Sequence, residues 1–139
     1  MSIQEKKALV CRFIEEVQNQ HNLAVIDELL SPDFVDRSGN SSLPGPEGVR
    51  GFFTMMFAAF SDMHFTIRQQ LAESDKVATH KTFHGTHRGT FMGIPPTDKE
   101  VSFDVIDILT VNGRLITEHW TVSDIFSLMQ QLGAVTAPA

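Results

Sequence analysis

Apolar residues recur at helical spacing over residues 3–20, with most of the charged residues on the opposite side. This pattern predicts an amphipathic helix. Its apolar positions are Leu9, Val10, Phe13, Ile14 and Val17. The spacing continues over residues 23–30 as a short second helix, which Ser31-Pro32 ends because proline disfavours a helical residue before it. Residues 32–40, PDFVDRSGN, are then predicted as a short extended piece that runs into a polar loop over residues 37–46.

A wide apolar stripe predicts a third helix that begins at Pro46, since proline suits the first position of a helix. Its members are Val49, Phe52, Phe53, Met56, Phe57 and Phe60. After Asp62 the apolar period changes to two. This change predicts four strands, rich in β-branched and aromatic residues, over residues 63–74, 75–87, 101–111 and 114–122. Asn112-Gly113 between the last two is a strong hairpin signal.

A final helix is predicted to begin at Ser123 as its cap, with Asp124 beside it, and to end at Gly133. We expect the tail, residues 134–139, to be frayed. Helices followed by a sheet and one closing helix predict a single α+β domain over residues 1–139. A bent, mostly antiparallel sheet wrapped around a Phe-rich helix would leave a pocket between the two layers, where a small molecule could bind.

Composition excludes several classes of protein. The chain has eleven Phe but no Tyr, so it offers no phenol for acid catalysis. Its single cysteine, Cys11, cannot form an internal disulfide. The net charge of −6, with scattered Lys and Arg, argues against nucleic acid or an anionic membrane surface as a partner. The chain has no signal-peptide core and no apolar run near the roughly 20 residues that a bilayer needs, so we expect a cytoplasmic protein.

The predicted hairpin decides which side chains share a face of the sheet. If Val111 pairs with Arg114, Asp104 lies opposite Thr121 and Asp107 lies opposite Glu118. Alternation then places Asp107 on one face with Trp120, and His119 on the other face with Thr121. A shift of one residue in the turn would exchange the faces of one strand relative to the other. Asp107 has two interpretations, a solvated carboxylate at the sheet rim or an acid or base inside the pocket.

The histidines at 80, 84 and 87 are spaced as HxxxHxxH, which suggests a metal site. On a strand, however, His80 and His84 would lie about 13 Å apart, too far to share one ion. Both share a face with Thr82 and are candidate pocket groups. The sequence contains no GxSxG, P-loop or GxGxxG motif, so we expect neither a metal nor another cofactor.

Residues 85–98, GTHRGTFMGIPPTD, mix Gly and Pro with the apolar residues Phe91, Met92 and Ile94. This segment is too apolar for a simple solvent loop. We expect it either to fold over the pocket as a lid or to pack on a partner subunit.

Four segments together resemble the SnoaL-like polyketide cyclase or ester cyclase family, within the superfamily that includes ketosteroid isomerase and nuclear transport factors. They are PDFVD (32–36), GTHRGTFMGIPPTDKEVSF (85–103), NGRLITEHWTVSD (112–124) and LMQQLG (128–133). The resemblance implies a cone-shaped, cystatin-like barrel that forms a homodimer or a tetramer. It also implies cofactor-independent acid–base cyclisation or isomerisation of a hydrophobic polyketide- or terpenoid-type carbonyl compound.

By this resemblance the family's catalytic Asp falls one residue after the Trp of EHW, which is Thr121 here. An assisting histidine falls on Asp107, or on its neighbour if the turn is shortened. A threonine hydroxyl is not a base near neutral pH. Asp107 is therefore our candidate base, together with three further catalytic candidates, His119, His80 and Asp36. The candidate pocket residues are Phe13, Phe53, Phe57, His84, Phe91, Met92, Trp120 and Thr121.

Three alternatives to this enzyme remain open. The same pocket could bind a small ligand without turnover, or carry out an epoxide-hydrolase-like reaction. The chain could also be a dimerisation module that uses LMQQLG and the exposed face of the sheet. A pocket closed by Phe and Met would favour the module, whereas an open pocket with a buried Asp107 or Asp36 would favour the enzyme.

Overall fold

A computed structural model describes residues 1–39 and 43–136. Residues 40–42 of the predicted polar loop and residues 137–139 of the predicted tail lie outside the described part. None of the described helices is long and apolar enough to cross a membrane.

The N-terminal helix is α1, Ile3–Arg12, and it begins with a capping box in which Ser2 and Glu5 exchange hydrogen bonds. The helix widens into a π-helix over Phe13–Asn19, which turns Phe13, Ile14, Val17 and Gln18 into the core. A 3₁₀ turn at Leu23–Val25 and the short α2, Ile26–Leu29, follow. The chain is already extended at Leu30, where β1, Leu30–Asp36, begins.

The helix predicted from the apolar stripe is α3, Gly45–Ala59. Val49, Phe53 and Met56 are buried on its inner side, and Phe60 is buried directly after its end. Phe52 and Phe57 pack partly buried against the same core. The aromatic stripe therefore forms the layer that faces the sheet.

The sheet contains β1 and four longer strands, β2 His64–Glu73, β3 Lys76–Thr86, β4 Glu100–Asn112 and β5 Leu115–Ser123. In the described residues its order is β1-β5-β4-β3-β2, antiparallel throughout except that β1 runs parallel to β5. The sheet curls around α3 without closing. This confirms the predicted α+β class with a bent, mostly antiparallel sheet.

The closing helix is α4, Ile125–Gln131. Its cap is Asp124, whose side chain accepts a hydrogen bond from the Ser127 amide at 3.1 Å. The prediction that Ser123 caps this helix is wrong, because Ser123 is the last residue of β5.

The predicted register of the β4–β5 hairpin is also wrong. The two residues of the turn are Gly113 and Arg114, both with positive φ, and Asn112 pairs with Leu115. An irregularity between Thr110 and Val111 shifts the strands further. Together these features change the register by an odd number of residues, which exchanges the faces of β5 relative to β4.

As a result Thr121 lies opposite Asp107, and His119 lies opposite Leu109. Asp107 stays on the inner face with Phe103, Val105 and Leu109, as alternation along β4 predicts. Trp120, predicted as a pocket residue, instead points to the outer face, where 49% of it is exposed. Glu118 is no longer opposed to Asp107, since its register partner is Thr110.

Candidate active site

A cavity of about 310 Å³ opens between the inner face of the sheet and α3. Its wall is mostly aromatic and thioether. The apolar lining residues are Phe52, Phe53, Met55, Met56, Met63, Phe65, Phe83, Phe91, Met92, Phe103, Val105 and Ile125. Met55, Met92 and Ile125 are among the exposed apolar residues and therefore mark the mouth. Cavities of this size and character take small organic ligands.

Six polar side chains line the same cavity, and three of them form its buried end. The six are Gln18, Lys81, Asp107, His119, Thr121 and Ser123. Gln18, Lys81 and Asp107 are each less than 5% exposed. The cavity is therefore a mostly apolar chamber in which three of the polar lining groups are buried.

Lys81 and Asp107 form a buried ion pair, with 2.8 Å between the Lys81 Nζ and the Asp107 Oδ2. The ammonium group also donates to the Gln18 Oε1 at 2.8 Å and lies 4.3 Å from the centre of the Phe65 ring. Asn19 holds Phe65 in place by pairing with its backbone N–H and C=O. The positive charge is thus surrounded on three sides by protein groups.

The second carboxylate oxygen of Asp107, Oδ1, is buried and has no hydrogen-bond partner among the described residues. A buried acceptor without a donor costs about 1–3 kcal/mol, so it is a group that a bound molecule could satisfy. On the neighbouring strand, directly opposite Asp107, lies Thr121. Side chains at directly opposed positions have Cβ atoms about 4.5–5.5 Å apart, so both reach the same region of the cavity.

Asp36 and His119 form a second polar pair beside the cavity. The His119 Nδ1 lies 3.6 Å from the Asp36 Oδ1, and that oxygen also accepts from the amide and hydroxyl of Ser38. Burial alone would raise the pKa of Asp36, but the hydrogen bonds from His119 and Ser38 outweigh it and hold this pKa well below its ordinary value. Asp36 therefore stays ionised and orients His119.

A smaller cavity of about 30 Å³ lies on the Asp36 side and has room for one or two water molecules. His119, Gln18, Phe52 and Phe53 line both cavities and so form the wall between them. Phe13 lines only the smaller cavity, where its ring packs edge-on against Phe53.

Two predicted site histidines lie on the outer face of the sheet. His80 contacts Asp104, with 3.3 Å between Nε2 and Oδ2. His84 stacks on His64 with ring centres 4.9 Å apart, and burial followed by the nearby His64 and Arg68 charges lowers the pKa of His84. Because His80 and His84 alternate with the inward residues of β3, neither reaches the cavity that Asp107 lines.

Phe57 also lies outside the cavity lining. Its ring stacks on His21, with ring centres 4.0 Å apart, and on Phe53, with ring centres 5.9 Å apart. The structure thus brings together Asp107, His119, Thr121, Phe53, Phe91 and Met92 and leaves Phe57, His80, His84 and Trp120 elsewhere.

The segment after β3 is fastened to the end of α3. The amides of Arg88 and Gly89 both donate to the Ala59 carbonyl at 3.0 Å. Phe91 and Ile94 bond to each other across a tight turn, which buries Phe91 in the cavity wall and leaves Met92 exposed at the mouth. Phe91 and Met92 of this segment therefore line the cavity, with Met92 at its mouth.

His87 anchors the base of this segment. It is fully buried, and its Nδ1 accepts from the Thr97 amide at 3.2 Å and lies 3.0 Å from the Thr97 hydroxyl. Its Nε2 has no partner within the described residues. His87 packs on Phe60 rather than lining the large cavity.

Lys81 and Gln18 line the cavity but were not predicted as site residues. The position of Lys81 is visible in the sequence, because it alternates in phase with Val77, Thr79 and Phe83, which point inward. Gln18 gave no such signal, because its inward direction depends on the π-helical turn. In the described part of the chain, no three His, Cys, Asp or Glu side chains are grouped as metal ligands would be.

The curled sheet encloses an apolar chamber with a few buried polar groups. This arrangement is typical of small α+β proteins that bind small molecules. The family model for SnoaL-like polyketide cyclases matches residues 8–132. The chain therefore belongs to the SnoaL-like polyketide cyclase family. Comparison with curated protein sequences gives no match.

Solved structures with the same fold include AclR, a proposed hydroxylase from Streptomyces galilaeus, at 30% identity and a TM-score of 0.86 over 99% of this chain and 87% of AclR. IdmH, a proposed polyketide cyclase from Streptomyces antibioticus, is 31% identical with a TM-score of 0.81, over 92% and 98% of the two chains. TsrD from Streptomyces laurentii is 26% identical with a TM-score of 0.89, over 97% and 99%.

Proposed function

We propose that this protein is a cofactor-independent acid–base enzyme, a cyclase or isomerase that acts on a hydrophobic carbonyl compound of polyketide or terpenoid type. Asp107 is the base and His119, oriented by Asp36, is its partner. The observation that carries this proposal is the pairing of Asp107 with Thr121 across β4 and β5. The family's base position is Thr121 here, and a carboxylate stands directly opposite it.

The chemistry needs only groups that line the cavity. Asp107 takes a proton from the carbon next to the substrate carbonyl, while His119 gives a proton to the carbonyl oxygen, so a C–H bond breaks and an O–H bond forms. The electron pair of the C–H bond becomes the C=C bond of an enol. In a cyclase this enol carbon attacks a second carbonyl of the same molecule, whose oxygen takes the proton from Asp107 while the enol O–H returns its proton to His119. In an isomerase Asp107 gives its proton to another carbon of the enol system, and the enol O–H again returns its proton to His119.

The apolar wall supports this role because it keeps water away from the enol. An open cavity with a buried Asp107 at its end also favours an enzyme over a dimerisation module. AclR is a proposed hydroxylase and IdmH a proposed polyketide cyclase, so structures of this fold include more than one proposed reaction.

The test uses 2-tetralone, a bicyclic ketone with acidic protons next to its carbonyl group. We expect the wild-type protein to accelerate exchange of these protons for deuterium in D₂O, followed by ¹H NMR. The Asp107→Asn variant should lose about 100-fold or more of this acceleration. His119→Ala should also slow the exchange.

The matched control is Asp104→Asn, since Asp104 lies on the same strand but on the outer face beside His80. The Asp104→Asn variant should accelerate the proton exchange of 2-tetralone as much as the wild type does. Full activity in Asp107→Asn would overturn the assignment of the base, and exchange no faster than in buffer would overturn the proposed enzyme.

Ligand binding without turnover is the second candidate function. Two features favour this function. Thr121 stands where the family has its catalytic Asp, and Lys81 neutralises the charge of Asp107. Binding of 2-tetralone without any acceleration of exchange would support this alternative.

We also propose that the protein forms a homodimer through the outer face of the sheet. Leu71, Ala78, Ile108 and Trp120 are successive register partners across four strands, and three of them are exposed. A continuous apolar row of this kind is typical of an interaction surface.

A further inference from the structure

We propose that the buried end of the cavity selects ligands with a neutral hydroxyl donor and rejects carboxylates. This inference rests on the proposed function in taking the cavity as the ligand site. It adds the chemical class of the group that lies at Asp107.

Lys81 is already paired with groups of the protein. Its ammonium group has three N–H donors, and the Asp107 Oδ2, the Gln18 Oε1 and the Phe65 ring surround it. A ligand carboxylate at this end would therefore have to displace one of these contacts to reach the positive charge. It would also bring a second negative charge next to Asp107.

Asp107 uses only one of its two carboxylate oxygens in the ion pair. One carboxylate oxygen is held by Lys81, while the other, Oδ1, is buried without a partner among the described residues. Oδ1 can only accept a hydrogen bond, since the carboxylate in an ion pair carries no proton. The unmet requirement at this position is for a donor.

The wall near this acceptor is mostly apolar. Phe83, Phe103 and Val105 line the cavity without a hydrogen-bonding side chain, and the polar neighbours on β5 are Thr121, directly opposite Asp107, and His119. A fused-ring ligand with one O–H at its end fits both the aromatic wall and the unpaired acceptor. Binding selectivity thus follows from the pairing of Asp107 with Lys81.

The experiment compares three bicyclic probes that differ in one substituent, 2-naphthol, 2-methylnaphthalene and 2-naphthoate, by isothermal titration calorimetry at neutral pH. A hydrogen bond to a charged acceptor predicts that 2-naphthol binds about 10-fold or more tightly than 2-methylnaphthalene. We expect 2-naphthoate to bind more weakly than either.

The variant Asp107→Leu removes the acceptor but leaves Lys81 as an unpaired buried charge. The double variant Lys81→Met/Asp107→Leu removes both charges, and it should bind 2-naphthol and 2-methylnaphthalene with equal affinity. Asp104→Leu, on the outer face of β4, is the matched control and should keep the wild-type preference.

Equal affinities for the three probes in the wild type, or tightest binding of 2-naphthoate, would overturn this inference. So would a preference for 2-naphthol that survives in the double variant. The outcome is separate from that of the exchange test. Selective binding with no proton exchange would overturn only the proposed enzyme, and Asp107-dependent exchange without selectivity would overturn only this inference.

Discussion

Lys81 and Asp107 form their ion pair along a diagonal of the sheet. In the register of β3 and β4, Lys81 pairs with Val105 and Asp107 pairs with Thr79. Each charged side chain is therefore displaced by two residues from the other, within reach of a long lysine side chain. The diagonal leaves Asp107 free to share a directly opposed position with Thr121 on the other neighbouring strand.

Removing one partner of this ion pair should lower the free energy of unfolding. In Lys81→Met, Asp107 remains as an uncompensated buried charge, and we expect a loss of about 3–5 kcal/mol in the free energy of unfolding. Lys81→Met/Asp107→Leu should recover most of that loss. Urea denaturation measures both. Lys76→Met, on the same strand but half-exposed, should cost less than about 1 kcal/mol. A Lys81→Met protein as stable as the wild type would contradict the buried pair.

The Asp36 carboxylate should make the free energy of unfolding depend on pH. Because its pKa is lower in the folded protein than the ordinary value of 3.8, the folded state stays ionised while the unfolded chain takes up a proton. Its contribution is complete above about pH 5 and is lost as the pH falls through and below 3.8.

Unfolding of the wild type and of Asp36→Asn between pH 3 and pH 7 would test this expectation. The wild-type advantage should be greatest near neutral pH and shrink in acid. Asp33→Asn, which changes an exposed carboxylate on the same strand, controls for the loss of one negative charge. An advantage that grows as the pH falls would have the opposite sign to this expectation.

Gly89 is required where the segment after β3 meets α3. A Cβ atom at this position would lie 2.1 Å from the Ala58 carbonyl oxygen, so the backbone of one element would have to move. We expect Gly89→Ala to lower the free energy of unfolding by about 1–3 kcal/mol. Gly51→Ala is the opposite case, since no atom of the described residues lies within 4 Å of its added Cβ and it sits within α3. It should raise stability by about 0.5–1 kcal/mol.

The proposed homodimer predicts that a charge in the outer apolar row separates the subunits. Ile108→Lys should sediment as a monomer at concentrations where the wild type is a dimer. Ile3→Lys, an exposed apolar residue in α1, should leave the dimer intact. A wild-type protein that sediments as a monomer would contradict the dimer, and a dimeric Ile108→Lys would contradict the proposed surface.

Much of the fold could be predicted because burial repeats with the period of each element. The stripe from Val49 to Phe60 and the alternation of Phe103, Val105 and Asp107 both appear in the structure where the sequence indicates them. These patterns are local. They depend on the period of a single helix or strand and not on how two strands meet.

The pairing of the last two strands could not be predicted in the same way. A type I′ turn needs positive φ at both central residues, which suits Asn-Gly, yet here the pair is Gly113-Arg114. The irregularity beside Thr110 has no sequence signature. These two local features placed Trp120 outside and His119 inside, so the candidate site changed although the strands themselves were correctly predicted.

The attachment of residues 88 and 89 to Ala59 has a mechanical consequence for the entrance. Two hydrogen bonds and the close approach at Gly89 join α3, which carries Met55, to the segment that carries Met92. Ser123 and Ile125, where β5 passes into α4, line the same cavity. Moving Met92 away from α3 would therefore break both hydrogen bonds to the Ala59 carbonyl, so this side of the entrance is coupled to the end of α3.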